Sequence, residues 1–227
     1  MRMICIYCGE RVATTKDHVP PKSFFPSPRP SNLITVPCCD VCNSKYGKGD
    51  ERARNLLTSL ETTETHPGIQ NQIARKRNRS FLRHEGRSDF QHILRSIKLV
   101  DRYSPGDIYL GKYAAFDLNQ GLMDRFMERM TRALIYQDNS IGYVDFEIEW
   151  RMAPTKQSFE SMPSEMKTFL ASAEPREIGD NVFIYLGYYC LGRASSLWIM
   201  NFYGGVEFIT ILRDKSGGGR QRNERCI

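Results

Sequence analysis

The chain has 227 residues, of which 41% are hydrophobic and 26% charged, a balance typical of a globular protein. No apolar run reaches the length of about 18 residues that a membrane-spanning helix requires. The N-terminal stretch MRMICIYCGE also lacks the apolar core of a secretory signal. These features argue against a membrane protein or a secreted one, and they predict a cytoplasmic location with no membrane partner.

The net charge of +6 is distributed unevenly along the chain. Residues 1–100 contain 17 Lys and Arg against 9 Asp and Glu, whereas residues 101–227 contain 15 against 17. A basic excess confined to one half is typical of a protein that binds a polyanion, with nucleic acid as the first candidate. The alternative is a basic surface that is merely solvated.

In chain order, the first half predicts short elements and then helices. Residues 1–50 are rich in proline and glycine, so they bury little apolar surface alone and need a cross-link. Cap and periodicity signals then predict a strand at 33–36 and a helical turn ending near Gly47. They also predict a helix over 51–60 with Asp50 as its N-cap, a basic helix over 69–84 and a further helix over 88–100.

The second half predicts an α+β domain built on an antiparallel sheet. Apolar residues recur at helical spacing between 118 and 137. YVDFEIEWRM (143–152) alternates apolar and polar residues, which predicts a half-buried strand. Three more strand-like segments follow at 182–192, 196–203 and 206–212, and Gly204-Gly205 predicts a hairpin between the last two.

Five of the seven cysteines surround one short N-terminal segment. Cys5-x-x-Cys8 and Cys39-x-x-Cys42 form two pairs that together supply four thiolates, the ligand set of a closed tetrahedral zinc site. Cys38 offers an alternative register with Cys42, but the two-residue spacing of the first pair favours Cys39. A structural Zn²⁺ is therefore predicted in the small N-terminal unit, whose folding needs one.

The same segment resembles the HNH, or ββα-metal, nucleases. The resemblance rests on CIYC (5–8), DHVPP (17–21), NLITVP (32–37) and CDVCN (39–43), and it covers roughly residues 1–55. It implies that Asp17 binds a catalytic divalent metal, that His18 is the general base, and that Asn32 orients His18. Asn43 stands where the family's last metal-binding histidine would be, as in an HNN variant. An Asp and Asn oxygen pair suits Mg²⁺ or Mn²⁺ better than zinc.

The chemistry of these residues is that of phosphodiester hydrolysis. A histidine near neutral pKa can take a proton from water, and a hard cation can relieve charge on the phosphate and on the leaving oxygen. Basic side chains predicted to contact nucleic acid lie just downstream: Lys45, Lys48, Arg75, Lys76, Arg77 and Arg79. The sequence thus predicts a metal-dependent endonuclease that cleaves DNA. The alternatives are a non-catalytic zinc protein that binds nucleic acid, and an HNH-type ribonuclease.

The predicted organisation is α+β with four segments: a zinc-bound HNH module (1–58), a basic helical connector (59–100), an α+β domain (101–215) and a disordered tail (216–227). The near-neutral, aromatic-rich composition of the α+β domain suits a subunit interface, which predicts a homodimer through the C-terminal half. By analogy with HNH modules fused to other domains, defence against foreign DNA, such as phage defence, is a further hypothesis.

Overall fold

The computed structural model describes residues 2–104, 106–153, 168, 172–190 and 195–214, and these form an α+β fold. The tail predicted at 216–227 lies outside the described residues. The strands are β1 (Thr15–Val19), β2 (Ile34–Cys38), β3 (Lys98–Tyr103), β4 (Tyr109–Ala115), β5 (Phe146–Ala153), β6 (Arg176–Ile178), β7 (Phe183–Cys190), β8 (Ser195–Phe202) and β9 (Val206–Asp214). The helices are α1 (Asp40–Leu57), α2 (Ala74–Leu82), α3 (His84–Ser96) and α4 (Gln120–Asn139). Within this part of the chain, none of the helices combines the length and apolar character needed to cross a bilayer.

The N-terminal unit has the order β-β-α. β1 pairs antiparallel with β2, and in this register Asp17 lies opposite Val36 and His18 opposite Thr35. α1 follows directly, and its cap is Cys39, whose Sγ accepts a hydrogen bond from the Cys42 backbone N–H at 3.4 Å. The first backbone N–H groups of a helix have no acceptor within the helix, so a capping side chain supplies one. The zinc-ligand candidates therefore sit at the start of α1.

α1 is one continuous helix, so the predicted break between Gly47 and Asp50 is wrong. Glycine is a poor helix former, and Gly47 and Gly49 together suggested a turn. The helix continues because it packs against α4, and at Gly49 the two helices are close enough that an added Cβ would lie in ordinary contact, 3.4 Å, with Leu122 Cδ1. Tertiary packing here outweighs local propensity.

The predicted helix over 88–100 is also placed wrongly. α3 begins earlier, at His84, and ends at Ser96, and the chain from Lys98 enters β3. β3 and β4 form a two-stranded antiparallel ribbon whose residues in β3 are all exposed. Lys98–Tyr103 is a strand because it pairs with β4, and the helical spacing of the preceding residues gives no sign of that partner.

The C-terminal half contains the predicted antiparallel sheet. Its strand order is β5-β9-β8-β7-β6, and α4 packs against the strands. The predicted hairpin is present, because β8 and β9 are neighbours joined through Tyr203 and Gly204, which both have positive φ. Glycine adopts this left-handed conformation without the strain that a side chain would cause.

One hydrophobic core joins the N-terminal unit to the sheet. Phe24 stacks on Phe126 of α4 with ring centroids 5.5 Å apart, and its backbone carbonyl accepts a hydrogen bond from the Tyr203 hydroxyl at 2.8 Å. Phe126 and Tyr203 belong to residues 101–215, the region predicted as a separate domain. The β-β-α unit and the sheet therefore share buried surface, which places side chains of α4 within reach of β1.

Candidate functional site

The four predicted zinc ligands come together in the structure. The sulfur atoms of Cys5, Cys8, Cys39 and Cys42 all lie within 4.8 Å of one another, and the Cys8 and Cys39 sulfurs are 4.0 Å apart. Ligands at about 2.3 Å from a tetrahedral zinc are separated by about 3.8 Å, so the sulfur atoms are slightly farther apart than in a metal-bound set. Cys38 is not in the cluster; its sulfur contacts the Cys39 carbonyl at 3.2 Å. These residues can hold a structural zinc ion.

The backbone around the first cysteine pair favours a thiolate. Burial alone would raise the pKa of Cys8, but the backbone N–H groups of Arg11 and Glu10 outweigh that effect and lower this pKa to about 7. For Cys42, burial raises the pKa of the thiol instead. A bound cation stabilises every thiolate that ligates it, so metal binding would carry much of the folding energy of this small unit.

Asp17 and His18 are adjacent on β1 and have different surroundings. Asp17 is only 3% exposed, and its Oδ2 accepts hydrogen bonds from the Tyr7 hydroxyl at 2.6 Å and from Arg129 Nε at 2.7 Å. His18 is half-buried, and burial together with the nearby charge of Lys22 lowers its pKa, against an opposing effect of Asp17. The imidazole is therefore mostly neutral near pH 7, as a general base must be.

Arg129, which the sequence analysis did not select, is the cation at the centre of the site. It comes from α4 and is only 2% exposed, and its two other nitrogens contact Asp17 Oδ1 and Asp50 Oδ1. Its guanidinium also lies 5.4 Å from the centre of the Tyr46 ring. Burial opposes its charge, but the hydrogen bonds and charge of Asp17 prevail and raise the pKa of Arg129. A permanently charged group thus bridges two carboxylates.

A sequence signal for Arg129 did exist. The apolar residues of α4 follow helical spacing, and position 129 falls on the same side as Phe126, Met130 and Ala133. A charged residue on an apolar face is almost never left unpaired, so it indicates a buried carboxylate elsewhere in the chain. The pattern does not say which one.

A cavity of about 450 Å³ brings together three of the four residues predicted for the catalytic site, the zinc-binding cysteines aside. Its walls include Asp17, His18 and Asn43, together with the carboxylates of Asp50 and Glu51. Asn43 is held on this wall by a hydrogen bond from its amide nitrogen to Thr15 Oγ1 at 3.3 Å. The cavity therefore combines an imidazole, an amide and three carboxylates with the cations Lys16, Lys22 and Arg129.

Asn32 is placed elsewhere. Its amide nitrogen donates to the backbone carbonyl of Glu177 at 3.1 Å, and it lines a separate cavity with Pro30 and Gly179. The amide nitrogen is thereby committed to β6 rather than to His18. The predicted orienting role of Asn32 has no supporting contact among the described residues.

The oxygen donors of the cavity that contains His18 are carboxylates and an amide, which are the ligand types that a hard divalent cation prefers. Asp17 has limited capacity, because Oδ2 already accepts two hydrogen bonds and Oδ1 accepts one from Arg129. One lone pair on Oδ1 remains for a metal. Asp50 and Glu51, which sequence reasoning missed, add further oxygen donors on the same wall.

The predicted nucleic-acid contacts fall into two groups. Lys45 and Lys48 are exposed on α1. On α2, Arg75 and Arg79 are exposed, whereas Lys76 and Arg77 are half-buried. The Arg77 guanidinium donates to the Thr58 carbonyl and so holds the end of α1. Arg77 therefore has an internal partner, and the other cations present charge at the surface.

Comparison with known proteins adds no family. No protein-family model matches the chain, and no curated protein or solved structure is similar enough to count as a match. Function must therefore be inferred from the site itself.

Proposed function

We propose that the protein is a metal-dependent endonuclease of the HNH type that hydrolyses phosphodiester bonds in DNA. The observation that carries the proposal is the single cavity on a β-β-α unit that joins Asp17, His18 and Asn43, next to a four-cysteine cluster. The order β-β-α with the acid and base on the first strand and an amide on the helix is the arrangement that the sequence resemblance implies. The uneven basic charge supports a polyanionic substrate.

His18 supplies the base in this proposal. Its lowered pKa keeps the imidazole neutral, so it can accept the proton of a water molecule that attacks phosphorus. Asp17 and Asn43 would hold the divalent cation, with Asp50 and Glu51 as further oxygen donors on the same wall. When bound, such a cation would neutralise charge on the phosphate and help the leaving 3′ oxygen depart.

The zinc cluster acts as a scaffold and takes no part in the chemistry. Its second pair starts α1, and Cys5 and Cys8 precede β1, so a bound zinc ties the helix that carries Asn43 to the segment that leads into Asp17. The four sulfurs complete a closed coordination shell, which leaves no position for water or substrate.

The test is cleavage of plasmid DNA by the full chain, purified with its zinc and freed of other metals. We expect cleavage only when Mg²⁺ or Mn²⁺ is added, and loss of cleavage in His18→Ala at unchanged zinc content. His84→Ala is the matched control, because His84 is exposed on α3 and does not line the cavity. A His18→Ala variant that cuts like the control would overturn the proposal.

The same assay separates the competing functions. Binding of DNA without cleavage under any metal condition would favour a non-catalytic zinc protein. Cleavage of RNA in preference to DNA would favour a ribonuclease that uses the same residues.

A further inference from the structure

A second cavity lies between α1 and α4 and is lined by cations from both helices. Lys45, Lys48 and Arg52 come from α1, and Arg125 and Arg129 come from α4. We call this cavity the α1–α4 cleft. Of the five cations in the cleft, only Lys45 and Lys48 were predicted from the sequence to contact nucleic acid, so the contribution of α4 is new.

Not all of these cations are available to a ligand. Arg129 is bound to Asp17 and Asp50, and Arg52 pairs with Asp89 through Nη2 at 2.7 Å. Lys45, Lys48 and Arg125 take part in none of the ion pairs between described residues, and all three are exposed.

The acidic side chain in the cleft does not cancel this charge. Asp50 also lines the cleft, but its carboxylate faces Arg129 and contacts it through Oδ1. The cleft therefore has an excess of positive charge, carried by three side chains without carboxylate partners. Such an excess attracts an anion, and the planar fork of arginine is well matched to a phosphate.

Asp50 and Arg129 line both the α1–α4 cleft and the cavity that contains His18. Arg129 is only 2% exposed, so its side chain separates the two spaces. With 3.6 residues per helical turn, the cleft residues Lys45, Lys48 and Arg52 project from the face of α1 opposite Asn43 and Gly47, so only an extended ligand could reach both spaces, around the exposed side of the helix. A single small anion would need only one of the two cavities.

We propose that the α1–α4 cleft binds a DNA backbone phosphate other than the one that is cleaved, with Arg125, Lys45 and Lys48 as its ligands. This inference rests on the proposed nuclease function and extends it, because it makes α4 of the C-terminal half part of the substrate-binding surface. Contacts to phosphates position the duplex and carry no base specificity. The contribution of Arg125 is therefore independent of DNA sequence.

The test measures affinity for a fluorescent DNA duplex across a range of salt concentrations, with His18→Ala as the parent so that no cleavage occurs. Adding Arg125→Ala should weaken binding about three- to tenfold for any duplex sequence and reduce the slope of log affinity against log salt by about 0.9, the loss of one phosphate contact. Arg125→Lys should recover part of the loss. Arg151→Ala is the control, because it removes the same charge from an exposed position on β5, outside the cleft.

The outcomes distinguish the two proposals. If Arg125→Ala and Arg151→Ala bind alike while the wild-type chain cleaves DNA, the cleft proposal is wrong and the nuclease proposal stands. If the wild-type chain neither binds nor cleaves DNA, both are wrong. An effect of Arg125→Ala on a single-stranded RNA probe but not on the duplex would also overturn the DNA-binding role of the cleft.

Discussion

Replacing Arg129 with methionine should destabilise the whole molecule. Arg129 is 2% exposed and joins Asp17, on β1, to Asp50, on α1, so its loss leaves one buried and one partly buried carboxylate without a counter-charge. Breaking a buried ion pair by removing one partner costs about 3–5 kcal/mol. A folded domain is stable by only about 5–15 kcal/mol, so the variant should lose a large fraction of its free energy of unfolding.

The loss should depend on pH, and its sign follows from Asp50. Burial raises the pKa of Asp50 to about 6, although the charge of Arg129 lowers it. Without Arg129 this pKa rises further above its value in the unfolded chain, so the folded variant binds a proton that the unfolded chain has released. Folding is then favoured by acid, and the deficit relative to wild type should shrink as pH falls from 7.5 to 5.5.

The measurement is urea unfolding of Arg129→Met and of Arg125→Met at both pH values. Arg125 lies one turn earlier on α4 but is exposed, so the same substitution there should change stability by less than about 0.5 kcal/mol. Arg129→Lys keeps the charge and loses the two-pronged contact, and it should lie between the two. Equal stability of the two methionine variants at pH 7.5, or a deficit that grows in acid, would refute the reasoning.

Four further predictions concern the zinc cluster, the base, the sheet and assembly. Cys42→Ser should lose zinc and unfold the N-terminal unit, while metal analysis of the wild type should find about one zinc per chain; a folded wild type without zinc would contradict this. Because burial lowers the pKa of His18, the cleavage rate should be level above about pH 6.5 and fall only in more acidic solution; a rate that rises in acid would exclude His18 as the base. Gly187→Ala should cost about 1–3 kcal/mol in thermal or urea unfolding, because a Cβ there would overlap the Trp198 ring, whereas Ala at Gly142 meets no neighbour and should be nearly neutral. We also expect a homodimer through the C-terminal half by light scattering, with nicked plasmid appearing before linear plasmid; a strict monomer that linearises plasmid without a nicked form would contradict it.

Local patterns were sufficient for the elements that depend on local rules. The two-residue spacing of each cysteine pair predicted which four sulfurs meet, since Cys39 and not Cys38 joins the cluster. Alternation predicted β5, and helical spacing predicted α4. The two errors in the first half, the break in α1 and the placement of α3, have one physical origin. Propensity describes an isolated segment. Packing against α4 decides that α1 tolerates its two glycines, and pairing with β4 decides where the helix α3 ends and the strand β3 begins.

The surroundings of Asp17 could not be predicted in this way, because its main partner lies 112 residues away. The sequence shows an aspartate beside a histidine and, separately, an arginine on an apolar helix face, but loop closure over that distance follows no local rule. The structure gives Asp17 a second role besides the one that the resemblance implies, since its carboxylate pairs with Arg129 and has one lone pair left on Oδ1. These roles are compatible if Arg129 holds the carboxylate in place while that lone pair faces the cavity. They predict different results for Asp17→Asn, because an amide keeps an oxygen for a metal but loses the charge that Arg129 needs. Instability of Asp17→Asn that matches Arg129→Met would therefore identify the ion pair, and not the metal, as the main reason for an aspartate at this position.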